Sequence, residues 1–124
     1  MPYNVHQWPA SVQKQEIETL PNDAAEAVLV MLREMRRRGP RLEEYRIKPL
    51  PGRLHGLNQA NLKINKEQIR VLFSVYESSI VVFHVFKKTS PQIERRGYDK
   101  ALERKKTAEQ LMEAGGVNNV PTLH

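Results

Sequence analysis

Apolar residues in the N-terminal third of the chain recur mainly at the spacing of α-helices. Residues 10–20 predict a short first helix, with three apolar positions at loose helical steps: Val12, Ile17 and Leu20. A second helix is predicted from Asp23 to Gly39, because five apolar residues fall three or four positions apart on one face: Ala24, Val28, Met31, Leu32 and Met35. Since only a short turn separates the two helices, we expect them to form an antiparallel hairpin.

After a turn-rich link over 39–53, the pattern changes to the two-residue period of β-strands. We predict strands near 54–64, 68–76 and 80–87. The first two alternate between apolar and polar residues, so each has one face toward a core. The third is apolar on both faces, which is typical of a central strand covered on both sides.

A charged C-terminal helix completes the predicted fold. It begins at Pro91 and is predicted to end near residue 113, before Gly115-Gly116. The elements together predict an α+β fold, in which the N-terminal helical hairpin packs on a small, mostly antiparallel β-sheet. Because 124 residues fit one domain, we predict a single domain over 1–113 and a disordered tail over 114–124.

The hairpin between the first two predicted strands sets two cations against each other. Its link of four residues, Asn65-Lys66-Glu67-Gln68, pairs Ile64 with Ile69 in the simplest register. Lys63 then lies opposite Arg70, and the apolar and polar residues keep to separate faces. Because like charges directly opposite each other destabilise a sheet, the two cations either splay into water or hold an anion between them.

Two histidines are candidates for proton transfer. The face occupied by His84 depends on the turn near Glu77. A two-residue turn puts His84 on the core side of the sheet, and a three-residue turn puts it on the face of Arg70. A histidine within an apolar strand is otherwise a core residue with a satisfied hydrogen bond. By alternation His55 lies on the polar face, as a proton donor or as an ordinary surface histidine.

The formal net charge of +6 is unevenly distributed. Residues 31–70 carry eleven Lys or Arg and four Asp or Glu, whereas residues 1–30 carry one Lys and four acidic residues. A concentrated basic segment favours a polyanionic partner, because neutralised phosphates release counterions. The alternative is a basic surface that serves solubility. On the last helix Tyr98 is either a phenol for base stacking or proton transfer, or the residue that docks the helix.

The composition excludes several kinds of site. Cysteine is absent, which excludes thiolate catalysis and Cys-ligated metals and suits a reducing cytoplasm. No apolar run approaches the roughly 20 residues of a membrane span, and the first residues lack the order of a signal peptide. No cluster of His, Asp and Glu has metal-ligand spacing, so any phosphoester chemistry is expected to proceed without a metal ion or other cofactor.

Four short motifs occur in order along the chain: Ile47-Lys48-Pro49-Leu50, Asn61-Leu62-Lys63-Ile64, Ile69-Arg70-Val71-Leu72-Phe73 and Phe83-His84-Val85-Phe86-Lys87-Lys88-Thr89. Ala101 and Arg104 follow, three positions apart on the last helix. In this order, over about residues 3–110, the chain resembles the phage-derived, HigB-like branch of the RelE/ParE toxin superfamily. Lys63 stands where that branch has an arginine. The resemblance adds a short first strand near Tyr3–Trp8.

The resemblance implies the toxin of a type II toxin–antitoxin system. Such a toxin is a metal-independent, ribosome-dependent mRNA endonuclease that inhibits translation in the cytoplasm. Its expected partners are mRNA on the ribosome and a cognate antitoxin, a helix-turn-helix protein with which it forms a hetero-oligomer. No membrane partner is expected.

The resemblance also implies roles for individual residues. Arg70 is expected to stabilise the charge that develops on the phosphate, with Lys63 beside it as a second charge stabiliser or as the general base. His84 or His55 is expected to donate a proton to the leaving 5′-oxygen. The residues expected to bind RNA are Lys87, Lys88, Lys48, Arg46, Tyr98 and Arg104.

Two other functions fit the same fold. ParE-type toxins inhibit DNA gyrase and cut no RNA, so that function needs no proton-transfer residue on the face of Arg70. A non-catalytic nucleic-acid-binding module would use the same basic face without any reaction.

Overall fold

A five-stranded sheet in the order β1-β5-β4-β3-β2 forms the centre of the computed structural model, which describes residues 2–115. Its strands are β1 (Asn4–Gln7), β2 (Lys48–Pro49), β3 (Asn58–Ile64), β4 (Glu67–Tyr76) and β5 (Ser79–Lys88). β1 runs parallel to β5, and the other neighbours are antiparallel, so the sheet is mixed. The fold is therefore α+β, and the expected short first strand is present as β1.

Two helices cover opposite faces of the sheet. α1 (Asn22–Arg38) packs on one face and α2 (Pro91–Gly115) on the other. Neither helix of the described chain has an apolar stretch long enough to cross a bilayer. From Gly116 on, the predicted disordered tail lies outside the described residues.

The helical period correctly identified the buried face of α1. All five predicted apolar positions are buried: Ala24, Val28, Met31, Leu32 and Met35. The helix ends at Gly39, whose N–H donates to Met35 O at 2.8 Å and whose φ is 93°. A Cβ at Gly39 would also lie 3.0 Å from the Tyr3 ring, so both backbone conformation and space favour glycine there.

The predicted N-terminal helical hairpin is not confirmed, because residues 10–20 do not form an α-helix. They contain a single π-type turn, Gln13–Ile17. The N–H of Glu18 donates to Gln13 O, five residues back, at 2.9 Å. Val12 and Ile17 are also five residues apart, and both are buried. This wider turn places both apolar side chains in the core.

The predicted register between β3 and β4 is also wrong. The strands are joined by a turn of two residues, Asn65 and Lys66, which both have positive φ. Lys63 therefore lies opposite Gln68, and Arg70 lies opposite Asn61. The true pairing differs from the predicted one by two positions, so every side chain keeps its predicted face. The two cations share a face but are not opposite each other.

A β-bulge decides the face of His84. The turn between β4 and β5 has two residues, and Phe73 lies opposite Val82. The register then shifts, so that Leu72 lies opposite His84 and Phe83 is the extra residue of the bulge. His84 consequently lies on the face of Arg70. Without the bulge, the two-residue turn would have put His84 on the opposite face.

The predicted strand boundaries agree with the structure except at the start of β3. Residues 54–57 precede that strand, and Gly52–Leu54 form a 3₁₀ turn. His55 follows this turn and does not belong to the strand. The alternation predicted from residue 54 therefore holds only from Asn58 onward.

Small residues bring α2 close to the sheet. Gly97, Ala101 and Ala108 lie on its buried face, four and seven positions apart. A Cβ at Gly97 would lie 2.6 Å from the Phe86 ring, which is closer than carbon atoms pack. The helix therefore approaches β5 closely at Gly97.

We expect Gly97→Ala to destabilise the protein by about 1–3 kcal/mol, because the added methyl group overpacks this contact. The loss should occur although alanine favours the helix by about 1 kcal/mol over glycine. Urea unfolding would measure it, with the exposed Lys100→Ala on the same helix as the control. A Gly97→Ala protein more stable than the wild type would contradict the tight contact.

Candidate active site

Arg70 lies in the middle of the sheet face covered by α2. Its neighbours across the strands are Asn61 on β3 and Phe86 on β5, and cross-strand partners share a face. Only 12% of its side chain is exposed. Its Nη2 atom donates to Gln68 Oε1 at 3.2 Å. Its Nε atom is buried and has no hydrogen-bond partner among the described residues. The guanidinium is thus held in place with donor capacity left over.

A carboxylate from α2 lies against this arginine. Glu94 Oε2 is 3.3 Å from Arg70 Nη2 and 3.7 Å from Lys88 Nζ. Glu94 belongs to the first turn of α2, where the helix dipole favours a negative charge. Lys88 reaches this face because it pairs with Gln68 across the strands. One carboxylate oxygen therefore lies between two cations.

A hydrogen-bonded chain of polar side chains borders these charges. Tyr98 on α2 donates its hydroxyl to Gln59 Oε1 at 2.7 Å, and Gln59 Nε2 donates to Asn61 Oδ1 at 3.4 Å. Burial, together with the charge of Glu94, raises the pKa of Tyr98 above its usual range. The phenol therefore stays protonated at neutral pH and acts as a hydrogen-bond donor.

Two further predicted cations lie on the same face. Lys48 is exposed and pairs with Gln59 across β2 and β3. Lys63 is exposed and lies next to Asn61 along that face, toward the turn. We call the group Arg70, Lys88, Glu94, Tyr98 and Gln59 the Arg70 cluster. Lys48 lies beside it on β2, opposite Gln59, and Lys63 lies beside it on β3.

His84 and Arg104 are engaged by a second, buried carboxylate. Glu16 Oε1 lies 2.6 Å from His84 Nδ1 and accepts the N–H of Val85 at 2.9 Å. Arg104 Nη1 donates to Glu16 Oε2 at 2.6 Å and to Phe83 O at 2.7 Å. β1 pairs with β5 only as far as Val82, so the Glu16 side chain supplies an acceptor where no strand continues.

The contacts of Glu16 favour its charged form. Burial by itself raises the pKa of Glu16, but hydrogen bonds from His84, Val85 and Arg104 outweigh it and lower the pKa below its ordinary value. The His84 ring also stacks on Phe86, with ring centroids 5.1 Å apart. His84 is thus held on the face of Arg70, whereas Arg104 is used to bind the carboxylate and the bulge.

Three predicted site residues lie away from the Arg70 cluster. Lys87 pairs with Ile69 across the strands, which puts it on the α1 face, where it contacts Glu67 at 3.2 Å. Arg46 is exposed, with φ of 49°, after the 3₁₀ turn Glu43–Tyr45. His55 is exposed in the turn before β3. None of the three shares the face of Arg70 on a strand.

Sequence reasoning missed both carboxylates of this face. Glu94 and Tyr98 are four residues apart, a spacing that predicts one helix face and could have linked them. Glu16 is 68 residues from His84, and no local pattern signals the contact.

Gln59 and Asn61 were expected on the polar face of their strand, and both lie there. Within residues 2–115, no group of three His, Asp or Glu side chains is placed to hold a metal ion.

Comparison with known proteins agrees with this architecture. The family model described as "Phage derived protein Gp49-like (DUF891)" matches residues 15–106. The toxin–antitoxin complex RelBE2 of Mycobacterium tuberculosis contains a chain that is 22% identical, with a TM-score of 0.54, and the match covers 71% of this chain and 100% of that one. No curated protein matches the chain.

Two other solved structures have the same fold. A mutant of the Escherichia coli toxin RelE in the free state is 17% identical, with a TM-score of 0.54, and the match covers 81% of this chain and 98% of that one. A conserved hypothetical protein of Helicobacter pylori is 10% identical, with a TM-score of 0.51, and the match covers 71% and 97% of the two chains. At these identities the likeness establishes a RelE-like fold.

Proposed function

Since the chain belongs to the family of phage-derived Gp49-like proteins and has a RelE-like fold, we propose that it is the toxin of a type II toxin–antitoxin pair, of the HigB-like branch. We propose further that it is an endoribonuclease that cuts mRNA on the ribosome without a metal ion. The observation that carries the activity is the Arg70 cluster. It places two cations and a protonated phenol on one sheet face.

The reaction that suits this face is attack of a ribose 2′-hydroxyl on the adjacent phosphate. Negative charge then builds on the phosphoryl oxygens, and preorganised donors stabilise it. Arg70 supplies them through its Nη2 atom, whose contacts with Gln68 and Glu94 are long. An arginine fork can grip two phosphoryl oxygens at once. Lys88 adds a second positive charge.

The surrounding residues would position the RNA. Lys48 and Lys63 are exposed on the same face and can contact the flanking phosphates. Tyr98, held by Gln59, can donate a hydrogen bond to the RNA or stack on a base. For the proton of the leaving 5′-oxygen we assign His84 rather than His55, because His84 lies on β5 on the face of Arg70, whereas His55 lies in the turn before β3.

The partner that would silence this activity is an antitoxin. The RelBE2 chain with the same fold comes from a toxin–antitoxin complex. We propose that this chain likewise forms a hetero-oligomer with a cognate antitoxin, expected to be a helix-turn-helix protein. Co-purification of the chain with the product of a short neighbouring gene would test this pairing.

Cleavage of mRNA by the wild-type protein during translation tests the proposed activity. We expect cuts within translated mRNA, detected by primer extension, and none in the same RNA without ribosomes. Addition of the antitoxin should abolish them. Intact mRNA together with loss of gyrase supercoiling would instead identify a ParE-type toxin. RNA binding without cleavage or growth arrest would identify a non-catalytic binding module.

A further inference from the structure

We propose that Glu94 is the general base of this reaction, the group that takes the proton from the attacking 2′-hydroxyl; the proposal rests on the function proposed above. Its Oε2 atom lies 3.3 Å from Arg70 Nη2 and 3.7 Å from Lys88 Nζ. The phosphate that these cations would hold is bonded to the ribose whose 2′-hydroxyl attacks. A carboxylate at this distance from the phosphate-binding cations is therefore within reach of that hydroxyl.

The position of Glu94 is well defined by the fold. It belongs to the first turn of α2, and its backbone N–H donates to Ser90 O at 3.1 Å. About a quarter of its side chain, 23%, is exposed. The carboxylate is therefore anchored on a helix yet open to a substrate. Contact with Arg70 orients it, as a proton acceptor must be oriented before the reaction.

The other candidate bases are excluded by their contacts. Glu16 is bound by His84, Val85 and Arg104. Glu67 contacts Lys87, which lies on the α1 face. Lys63 was expected to be a second charge stabiliser or, with Arg70 directly opposite, the general base, but Gln68 occupies that position. Glu94 is the acidic side chain that the described fold brings to Arg70.

Each proton that moves in the proposed step has a donor and an acceptor. The 2′-oxygen gives its proton to a Glu94 carboxylate oxygen and forms a bond to phosphorus. The bond from phosphorus to the 5′-oxygen breaks, and the leaving 5′-oxygen takes a proton from the donor that we assign as His84. The products are a 2′,3′-cyclic phosphate and a 5′-hydroxyl. Arg70 and Lys88 stay bound to the phosphoryl oxygens throughout.

Glu94→Gln tests the proposal, because it removes the proton acceptor and keeps the shape of the side chain. We expect the single-turnover rate of mRNA cleavage on programmed ribosomes to fall by about 10²- to 10³-fold. Binding should not weaken, because a negative charge beside the phosphate is lost. The dissociation constant can be measured on ribosomes whose mRNA carries a 2′-deoxynucleotide at the cleavage position, which prevents the reaction.

Two further variants make the result interpretable. Glu94→Asp keeps the carboxylate on a shorter side chain and should restore part of the rate. Glu103→Gln removes an exposed carboxylate from the same helix and should cleave like the wild type. If Glu94→Gln fails to fold, the rate of Glu94→Asp relative to that of Glu94→Ala decides, because a base requires the carboxylate.

Each other outcome overturns the assignment in a distinct way. Cleavage by Glu94→Gln at the wild-type rate or faster would mean that the carboxylate only competes with the phosphate for the cations, while the proposed nuclease function stands. A rate loss matched by an equal loss of affinity would make Glu94 a residue that positions Arg70. A wild-type protein that cleaves no mRNA would refute the nuclease function and the general base together.

Discussion

Replacement of Arg70 by alanine is expected to lower the rate of mRNA cleavage on the ribosome by about 10²- to 10³-fold. The guanidinium lies in the centre of the α2 face, 12% exposed, with its Nε atom unpartnered. We propose it as the donor that stabilises the phosphoryl oxygens. Arg70→Lys should recover only part of the rate, because an ammonium group is a point charge and cannot grip two oxygens in parallel.

Single-turnover cleavage of a ribosome-bound mRNA would measure this effect, with circular dichroism to confirm that each variant is folded. Arg33→Ala is the matched control, since it removes an exposed arginine from α1, on the opposite side of the sheet. Lys63→Ala should cost less than Arg70→Ala, because Lys63 is exposed and faces Gln68. Equal rates for Arg70→Ala and Arg33→Ala would remove Arg70 from the active site.

Replacement of Glu16 by glutamine is expected to reduce the free energy of unfolding by about 3 kcal/mol at neutral pH. The carboxylate is 10% exposed and joins His84, Val85 and Arg104. The neutral amide leaves the Arg104 charge, which is 17% exposed, without its counter-ion. Urea unfolding of the two proteins would measure the difference, and the exposed Glu26→Gln is a control with the same change in net charge.

The effect of Glu16 should depend on pH with a definite sign. Its hydrogen bonds lower the pKa in the folded protein below the ordinary value of 4.5. A carboxylate with a lowered folded pKa contributes stability that is present above the unfolded pKa and lost as the pH falls through the folded pKa. The difference between wild type and Glu16→Gln should therefore shrink below about pH 4.5. A constant difference across that range would show that ionisation of Glu16 does not matter.

Much of the architecture follows from periodicity alone. The five apolar residues of α1 are buried because a 3.6-residue period places them on one stripe, whatever that stripe packs against. β3 and β4 alternate over most of their length, with an exception at Leu72, so Asn61 and Arg70 lie on the same face even under the wrong register. An error of two residues leaves the faces unchanged, since the side-chain period of a strand is two. The chain therefore carried enough information to put Arg70 on a polar face.

Register and bulges depend on interactions that local patterns do not contain. Asn65 and Lys66 form a two-residue turn because both adopt positive φ, a conformation that lysine seldom takes. The bulge at Phe83 arises where β4 and β5 are packed between both helices, and it alone moves His84 to the face of Arg70. A count of turn residues could not foresee a shift in the middle of the strand.

The sequence by itself determined membership of the Gp49-like family, the α+β fold class and the polar residue types on the face of Arg70, because these depend on composition, period and short motifs. Only the tertiary structure decided which charges meet. Packing of α2 brings Glu94 to Arg70. Because β1 ends at Gln7, it does not extend to Val85, and the N–H of Val85 donates to Glu16 instead. Both contacts join residues far apart in the chain, so packing decides which groups meet. Lys63 was first expected opposite Arg70, but the charged group in contact with Arg70 is Glu94.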